Sequence, residues 1–171
     1  MTFIQLTPHQ LDRAQRVGHL RNDHKIGVVQ NKRIDQRQDD LTINIRGLWG
    51  ELAVAELYHV PIDDVQRLNG DSGLDLEIDG RTVQVKYNTY PHGDLYFNTV
   101  DDFICDLAFL TVPFSEREGA VNIIGWITRE EFILSHTRRD YGYGSRVIIK
   151  QNQLYSFPCD LHKCESYVWT F

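Results

Sequence analysis

Asp75, Gln84 and Lys86 are residues of this 171-residue chain whose types and spacing could do chemistry together. An acid and an amide offer oxygens to a hard cation. A lysine offers positive charge to a phosphoryl oxygen or to an attacking water. All three sit in the stretch Asp75-Leu-Glu-Ile-Asp-Gly-Arg-Thr-Val-Gln84-Val-Lys86-Tyr87. Leu74, Leu76 and Ile78 alternate with Asp75 and Glu77, and Val83, Val85 and Tyr87 alternate with Gln84 and Lys86. Period-two alternation on both sides of Asp79-Gly80 predicts a β-hairpin with a tight turn. If that turn is a two-residue loop, Ile78 faces Arg81 and Asp75 faces Gln84. Directly opposed residues have Cβ atoms roughly 5 Å apart. Lys86, two positions on, shares their face.

A second carboxylate lies upstream in Gly47-Leu-Trp-Gly-Glu51-Leu-Ala-Val-Ala-Glu56. Ile45 to Val60 reads as a helix with an apolar face of Leu48, Leu52 and Ala55, joined by Trp49 and Leu57, and Pro61 ends it. Glu56 falls about 140° around that helix from Glu51, so the two cannot face one metal. Glu51 is the preferred partner for the hairpin.

A helix with a glutamate, followed by a hairpin with Asp and Gln-x-Lys, resembles the PD-(D/E)XK nuclease superfamily. This is the restriction-endonuclease-like fold of restriction enzymes, resolvases, phage exonucleases and transposon end-cleaving nucleases. The resemblance covers residues 45 to 130 and continues through Asp106-Leu-Ala-Phe-Leu-Thr-Val and Ile-Ile-Gly-Trp-Ile-Thr, similar to the strand pair of phage and resolvase-like members. It implies an α/β/α sandwich and a metal-dependent deoxyribonuclease, phage-encoded or acting in recombination and repair. Asp75 matches the metal-binding aspartate, Lys86 the lysine and Glu51 the helix glutamate. Gln84 stands where the family usually carries Asp or Glu. That departure, with the acidic net charge, keeps an alternative open: a catalytically inactive DNA- or protein-binding module on the same fold.

Phosphodiester cleavage needs a hard cation to polarise a phosphoryl oxygen and acidify water. Mg²⁺, or Mn²⁺, takes oxygen ligands and keeps several waters. Asp75, Gln84 and the Val85 backbone carbonyl can supply oxygens, and Glu51 can bind directly or through water. Lys86 can orient the nucleophile or stabilise charge on the phosphate.

The elements that must position these groups follow from pattern. Leu6 to Gly18 reads as a helix with Thr7 as cap and Pro8 at its first position. Leu11, Ala14 and Val17 form its buried stripe, and residues 19–41 are a long polar segment. Residues 95–98 read as a short strand, and Ile104 to Val112 and Ala120 to Ile127 as buried strands. Thr128 with Glu131 is a capping box that starts a helix. Residues 136–146 read as a loop and Val147–Ile149 as a last strand. The order implies an α+β chain, a mixed β-sheet flanked by helices. One domain spans 1–171: a basic N-terminal helical extension over 1–44, a core over 45–130 and a C-terminal extension over 131–171.

An apolar fraction of 42% marks a globular chain. No apolar run approaches the roughly 20 residues that span a bilayer, so no membrane partner is expected. The absence of a secretion signal and three cysteines that cannot all pair point to a reducing cytoplasm. The net charge is −6, yet residues 9–46 hold eight Lys/Arg against five Asp. An acidic body with a basic N-terminal region suits an enzyme that binds metal in one place and phosphate in another. Arg13, Arg16, Arg21 and Lys25 are candidate phosphate contacts. Asn88 follows Lys86 and can line the groove. Arg138, Arg139 and Arg146 frame Tyr141-Gly-Tyr143-Gly, which could clamp a DNA backbone and stack on unpaired bases. The expected partner is DNA, and a homodimer is compatible with it. Cys159, His162 and Cys164 are too cramped for an ordinary structural zinc site.

Overall fold

The computed structural model describes residues 1–24, 39–62, 73–115, 117–142 and 144–156. Among these residues, three α-helices and two sheets make an α+β architecture. The larger sheet has β1 (Thr2–Gln5), β6 (Ala120–Thr128), β5 (Leu107–Pro113), β3 (Arg81–Tyr87) and β2 (Leu76–Ile78), in that spatial order. β3 and β5 run parallel, and the other neighbours are antiparallel. The smaller sheet has β4 (Leu95–Phe97), β8 (Ser145–Ile149) and β7 (Thr137–Asp140), all antiparallel.

Helices α1 (Pro8–His24) and α2 (Asp40–Tyr58) cover one face of the large sheet. Leu48, Leu52 and Val54 of α2 pack with Val83, Val85, Leu107 and Phe109. The opposite face is covered by the smaller sheet and by α3 (Arg129–Ser135). There Ala108, Leu110 and Ile127 meet Leu95, Phe97, Ile149 and Phe132. Phe97, Phe103 and Phe132 form an aromatic triad with centroids 5.0–5.2 Å apart. Burying each such ring stabilises the fold by about 2–3 kcal/mol, so the small sheet is part of the core.

Helix boundaries follow local chemistry. Thr7 Oγ1 accepts from the Gln10 amide at 3.3 Å, and Gln10 Oε1 accepts from the Thr7 amide at 2.8 Å, a reciprocal cap in front of Pro8. α1 runs past Gly18, because that glycine is a close approach and not a stop: a Cβ there would lie 2.6 Å from Ile45 Cγ1 of α2. α2 begins at Asp40, five residues before the expected Ile45, because Asp39 Oδ1 accepts from Thr42 N at 2.7 Å. The expected Thr128–Glu131 capping box opens α3.

Two strands depart from expectation. Residues 137–140, expected in a loop, form β7. All four are exposed and are held by backbone pairing with β8, so no apolar alternation marks them. β1 is a four-residue edge strand paired with β6, too short to show a period. Lys25 and the Cys159, His162 and Cys164 group lie outside the described residues.

Candidate functional site

The hairpin turn fixes the first part of the site. Asp79 and Gly80 both have positive φ, 51° and 75°, as a two-residue type I′ loop requires. The resulting register pairs Ile78 with Arg81 and Leu76 with Val83. One step beyond the end of β2, Asp75 comes opposite Gln84. Its amide donates to the Val83 carbonyl at 2.9 Å, and its Oδ2 accepts from the Val85 amide at 2.6 Å. The Asp75 carboxylate thus takes the place in the ladder that a continuing β2 would fill. In an extended strand the N–H and C=O of one residue point to the same edge. The Val85 carbonyl therefore faces the edge on which Asp75 sits.

Gly73 brings the chain over Gln84. Its φ is +74°, and a Cβ there would lie 3.2 Å from the Gln84 amide. Gln84 is only 5% exposed. With its amide oriented to satisfy both ends, the nitrogen donates to the Asp102 carbonyl at 3.3 Å and Oε1 accepts from Lys86 Nζ at 3.0 Å. The Lys86 ammonium also stands 5.2 Å from the centroid of Phe97. Cys105 lies beneath this group, its thiol donating to the Gly73 carbonyl at 3.3 Å. Burial pushes that thiol's pKa up, the Asp75 charge adds to the rise, and Lys86 opposes it. Asp75, Gln84, Lys86 and the Val85 carbonyl are therefore gathered at the edge where β2 leaves β3.

Glu51 lies on the helix face of the sheet. It is 6% exposed and is held by a two-pronged ion pair with Arg21 of α1, Nη1–Oε1 at 3.1 Å and Nη2–Oε2 at 3.4 Å. Its neighbour Gly50 sets how closely α2 approaches the sheet. A Cβ on Gly50 would lie 2.4 Å from Thr111 Oγ1 and 3.3 Å from Val85 Cγ1. α2 thus crosses β3 at Val85, the residue whose amide holds Asp75. Glu56 points elsewhere, accepting from Gln10 Nε2 at 2.9 Å.

The other candidates scatter. Arg13 donates to the Ile62 carbonyl at 3.1 Å, and Arg16 pairs with Asp12 at 3.1 Å on the exposed side of α1. Asn88 builds a turn: its Nδ2 donates to the Asp94 carbonyl at 3.0 Å and its Oδ1 accepts from Tyr90 N at 3.0 Å. Arg138 and Arg139 lie on β7 and Arg146 on β8.

Sequence reasoning missed three contributors. Arg21, expected to contact phosphate, pairs with Glu51; it follows Ala14 and Val17 at helical spacing, a relation visible only when α1 runs past Gly18. Asp94 meets Arg139 at 3.7 Å. Asp106 anchors the start of β3, its Oδ2 accepting from both the amide and the hydroxyl of Thr82 at 2.7 Å. Those bonds hold its carboxyl below the usual aspartate range.

The donors at the β2–β3 edge are all oxygens: one carboxylate, one amide and one backbone carbonyl. That set suits Mg²⁺ or Mn²⁺, which retain several waters. Among the described residues, no three His, Cys, Asp or Glu side chains gather at metal-binding spacing. A fit to a hard cation therefore rests on Asp75 and the neutral oxygens beside it. Glu51, expected to join them, is paired with Arg21 and lies with α2 on the face of β3 that carries Val83 and Val85, whereas Gln84 and Lys86 point to the opposite face. Comparison with protein-family models and with curated proteins found no match to this chain.

Proposed function

We propose that the chain is a Mg²⁺- or Mn²⁺-dependent deoxyribonuclease with a restriction-endonuclease-like core, acting on DNA in recombination, repair or a phage cycle. The observation that carries this reading is the convergence of the Asp75 carboxylate, the Gln84 amide and the Lys86 ammonium where β2 leaves β3. The glutamate-bearing helix that crosses β3 at Val85 and the parallel β3–β5 pair support it. The cation, when bound, supplies Lewis acidity and lowers the pKa of water. Asp75, Gln84 and the Val85 carbonyl would hold it. Lys86 would donate to a phosphoryl oxygen or to the attacking water. The Cys105 thiol bonds to the Gly73 carbonyl and so helps to keep the Gly73 backbone over Gln84.

One observation favours a second reading. Glu51 is already neutralised by Arg21, as befits a DNA-binding module that has given up its metal. Calorimetric titration with Mn²⁺ and a plasmid-nicking assay separate the two. The nuclease reading expects Mn²⁺ binding that is lost in Asp75→Ala, and nicking reduced about 100-fold or more in Lys86→Ala, the range typical for one electrostatic group. A wild-type chain that binds DNA but neither takes Mn²⁺ nor nicks supports the module.

A further inference from the structure

On the β7–β8 hairpin, Arg139 lies directly opposite Arg146 in an antiparallel pair. Like charges so placed repel and destabilise the pairing. The stretch 137–146 holds three arginines and one aspartate, a surplus of two positive charges in a chain of net charge −6. The compensation seen for Arg139 is weak: Asp94 Oδ2 at 3.7 Å and the Tyr141 ring at 5.1 Å, with the Arg139 side chain 58% exposed. Tyr96 of β4 lies on the same face of this sheet, one strand across; burial pushes its phenol's pKa up, and the Arg146 charge opposes the rise.

The hairpin is tied to the candidate site. Asp94, the partner of Arg139, accepts through its carbonyl from Asn88, two residues past Lys86. Gln151 Nε2, just after β8, donates to the carbonyls of Pro91 and Gly93 in the same turn. Phe97, over which Lys86 sits, pairs with Val147 of β8. Phe97 and Val147 face the large sheet, whereas Arg146 and Arg139, one residue out of phase with Val147, face the outer side of the small sheet. The hairpin therefore borders the turn that follows Lys86 and not the Lys86 ammonium itself.

We infer that Arg139 and Arg146 form a clamp for two phosphates of the DNA backbone on the outer face of the small sheet, beside the turn that follows Lys86, with Tyr141 as a stacking surface and Asp94 as an internal anion that phosphate displaces. The inference rests on the nuclease reading for its substrate and deepens it by naming what grips that substrate. Guanidinium groups bind phosphate through charge-assisted hydrogen bonds, and phosphate contacts carry no base readout. The clamp is therefore indifferent to sequence, and its contribution depends on salt. Neutralising one phosphate contributes a slope of about 0.7 to 0.9 in log K against log salt.

The test is fluorescence anisotropy with a labelled 30-nucleotide single strand and its duplex, in EDTA, across a range of KCl. Arg139→Gln/Arg146→Gln is expected to weaken binding at least tenfold and to flatten the slope by about 1.4 to 1.8, two phosphates' worth. Asp94→Asn is expected to tighten binding. Tyr141→Ala is expected to weaken the single strand more than the duplex. Arg117→Gln, an exposed charge in the turn before β6, controls for net charge and leaves the slope unchanged. Circular dichroism checks that each variant folds. A double variant with wild-type affinity and slope, or a wild type that binds neither DNA, overturns the clamp. If the clamp result holds but no variant or wild type cleaves with Mg²⁺ or Mn²⁺, the clamp stands and the nuclease reading fails. If cleavage occurs and the double variant binds as wild type, the reverse is true.

Discussion

Two glycines and one turn decide whether the polar cluster can assemble. Gly73 has a left-handed backbone, which costs any other L-residue about 1–2 kcal/mol, and an added methyl would press on the Gln84 amide. Gly73→Ala is therefore expected to destabilise by about 1–2 kcal/mol and to impair the site together with the fold. Urea denaturation alongside the nicking assay checks both. Gly50→Ala places a carbon against Thr111 Oγ1 and Val85. Overpacking of this kind costs about 1–3 kcal/mol, and it would lift Glu51 away from the sheet. The pairing of Asp75 with Gln84 was legible because Asp79-Gly80 is a strong turn signal and the turn sets the register. The burial of Gln84 was not, because it depends on residues 73 and 102, far from it in sequence.

Asp106 gives a pH test at the same scale. Its folded pKa is depressed, first by the Thr82 amide and then by the Thr82 hydroxyl. The sign follows from linkage: a depressed carboxyl pKa stabilises above the unfolded value and loses that contribution as pH falls through the folded one. Stability is expected to fall as the pH is lowered below about 4, the unfolded range for aspartate. Asp106→Asn should remove part of that dependence. Thermal melts between pH 2.5 and 6 measure it. An unchanged acid limb in the variant would place the dependence on other carboxylates.

At the scale of elements, the α1–α2 pair turns on Arg21 and Glu51. Removing one partner of a buried pair typically costs about 3–5 kcal/mol. Arg21 keeps a third of its side chain in solvent, which lowers the expected loss in Arg21→Ala to about 1–3 kcal/mol. Arg21→Ala/Glu51→Gln should recover part of it, because no buried charge is left alone. A double-mutant cycle by urea denaturation reads the coupling. A cycle with zero coupling would show that the pair does not hold the helices together. The same pair explains why the N-terminal helix was hard to delimit. Its capping box at Thr7 and its apolar stripe stand out, but Gly18 looks like a stop in the sequence and is a helix crossing in the structure. The α3 capping box was legible because both its residues are local. β7 was not, since an all-polar edge strand carries no apolar periodicity and forms through its pairing with β8.

At the scale of the molecule, the mixed large sheet with its helices was legible from element order, while the second sheet was not. β4 and β8 are about 50 residues apart in the chain (95–97 and 145–149) and meet only after folding. That meeting places the arginine hairpin beside the turn that follows Lys86. Helices long and apolar enough to cross a membrane are absent among the described residues. The central claim, metal-dependent phosphodiester hydrolysis at Asp75, Gln84 and Lys86, is tested most directly by one assay. Linear DNA, circular single-stranded DNA and a four-way junction are incubated with the wild type and with Asp75→Asn, in Mg²⁺, Mn²⁺ or EDTA. Cleavage of at least one substrate by the wild type with either metal, abolished by EDTA and by Asp75→Asn, is the predicted result. Intact substrates under every condition, or cleavage that survives both EDTA and the substitution, would contradict it.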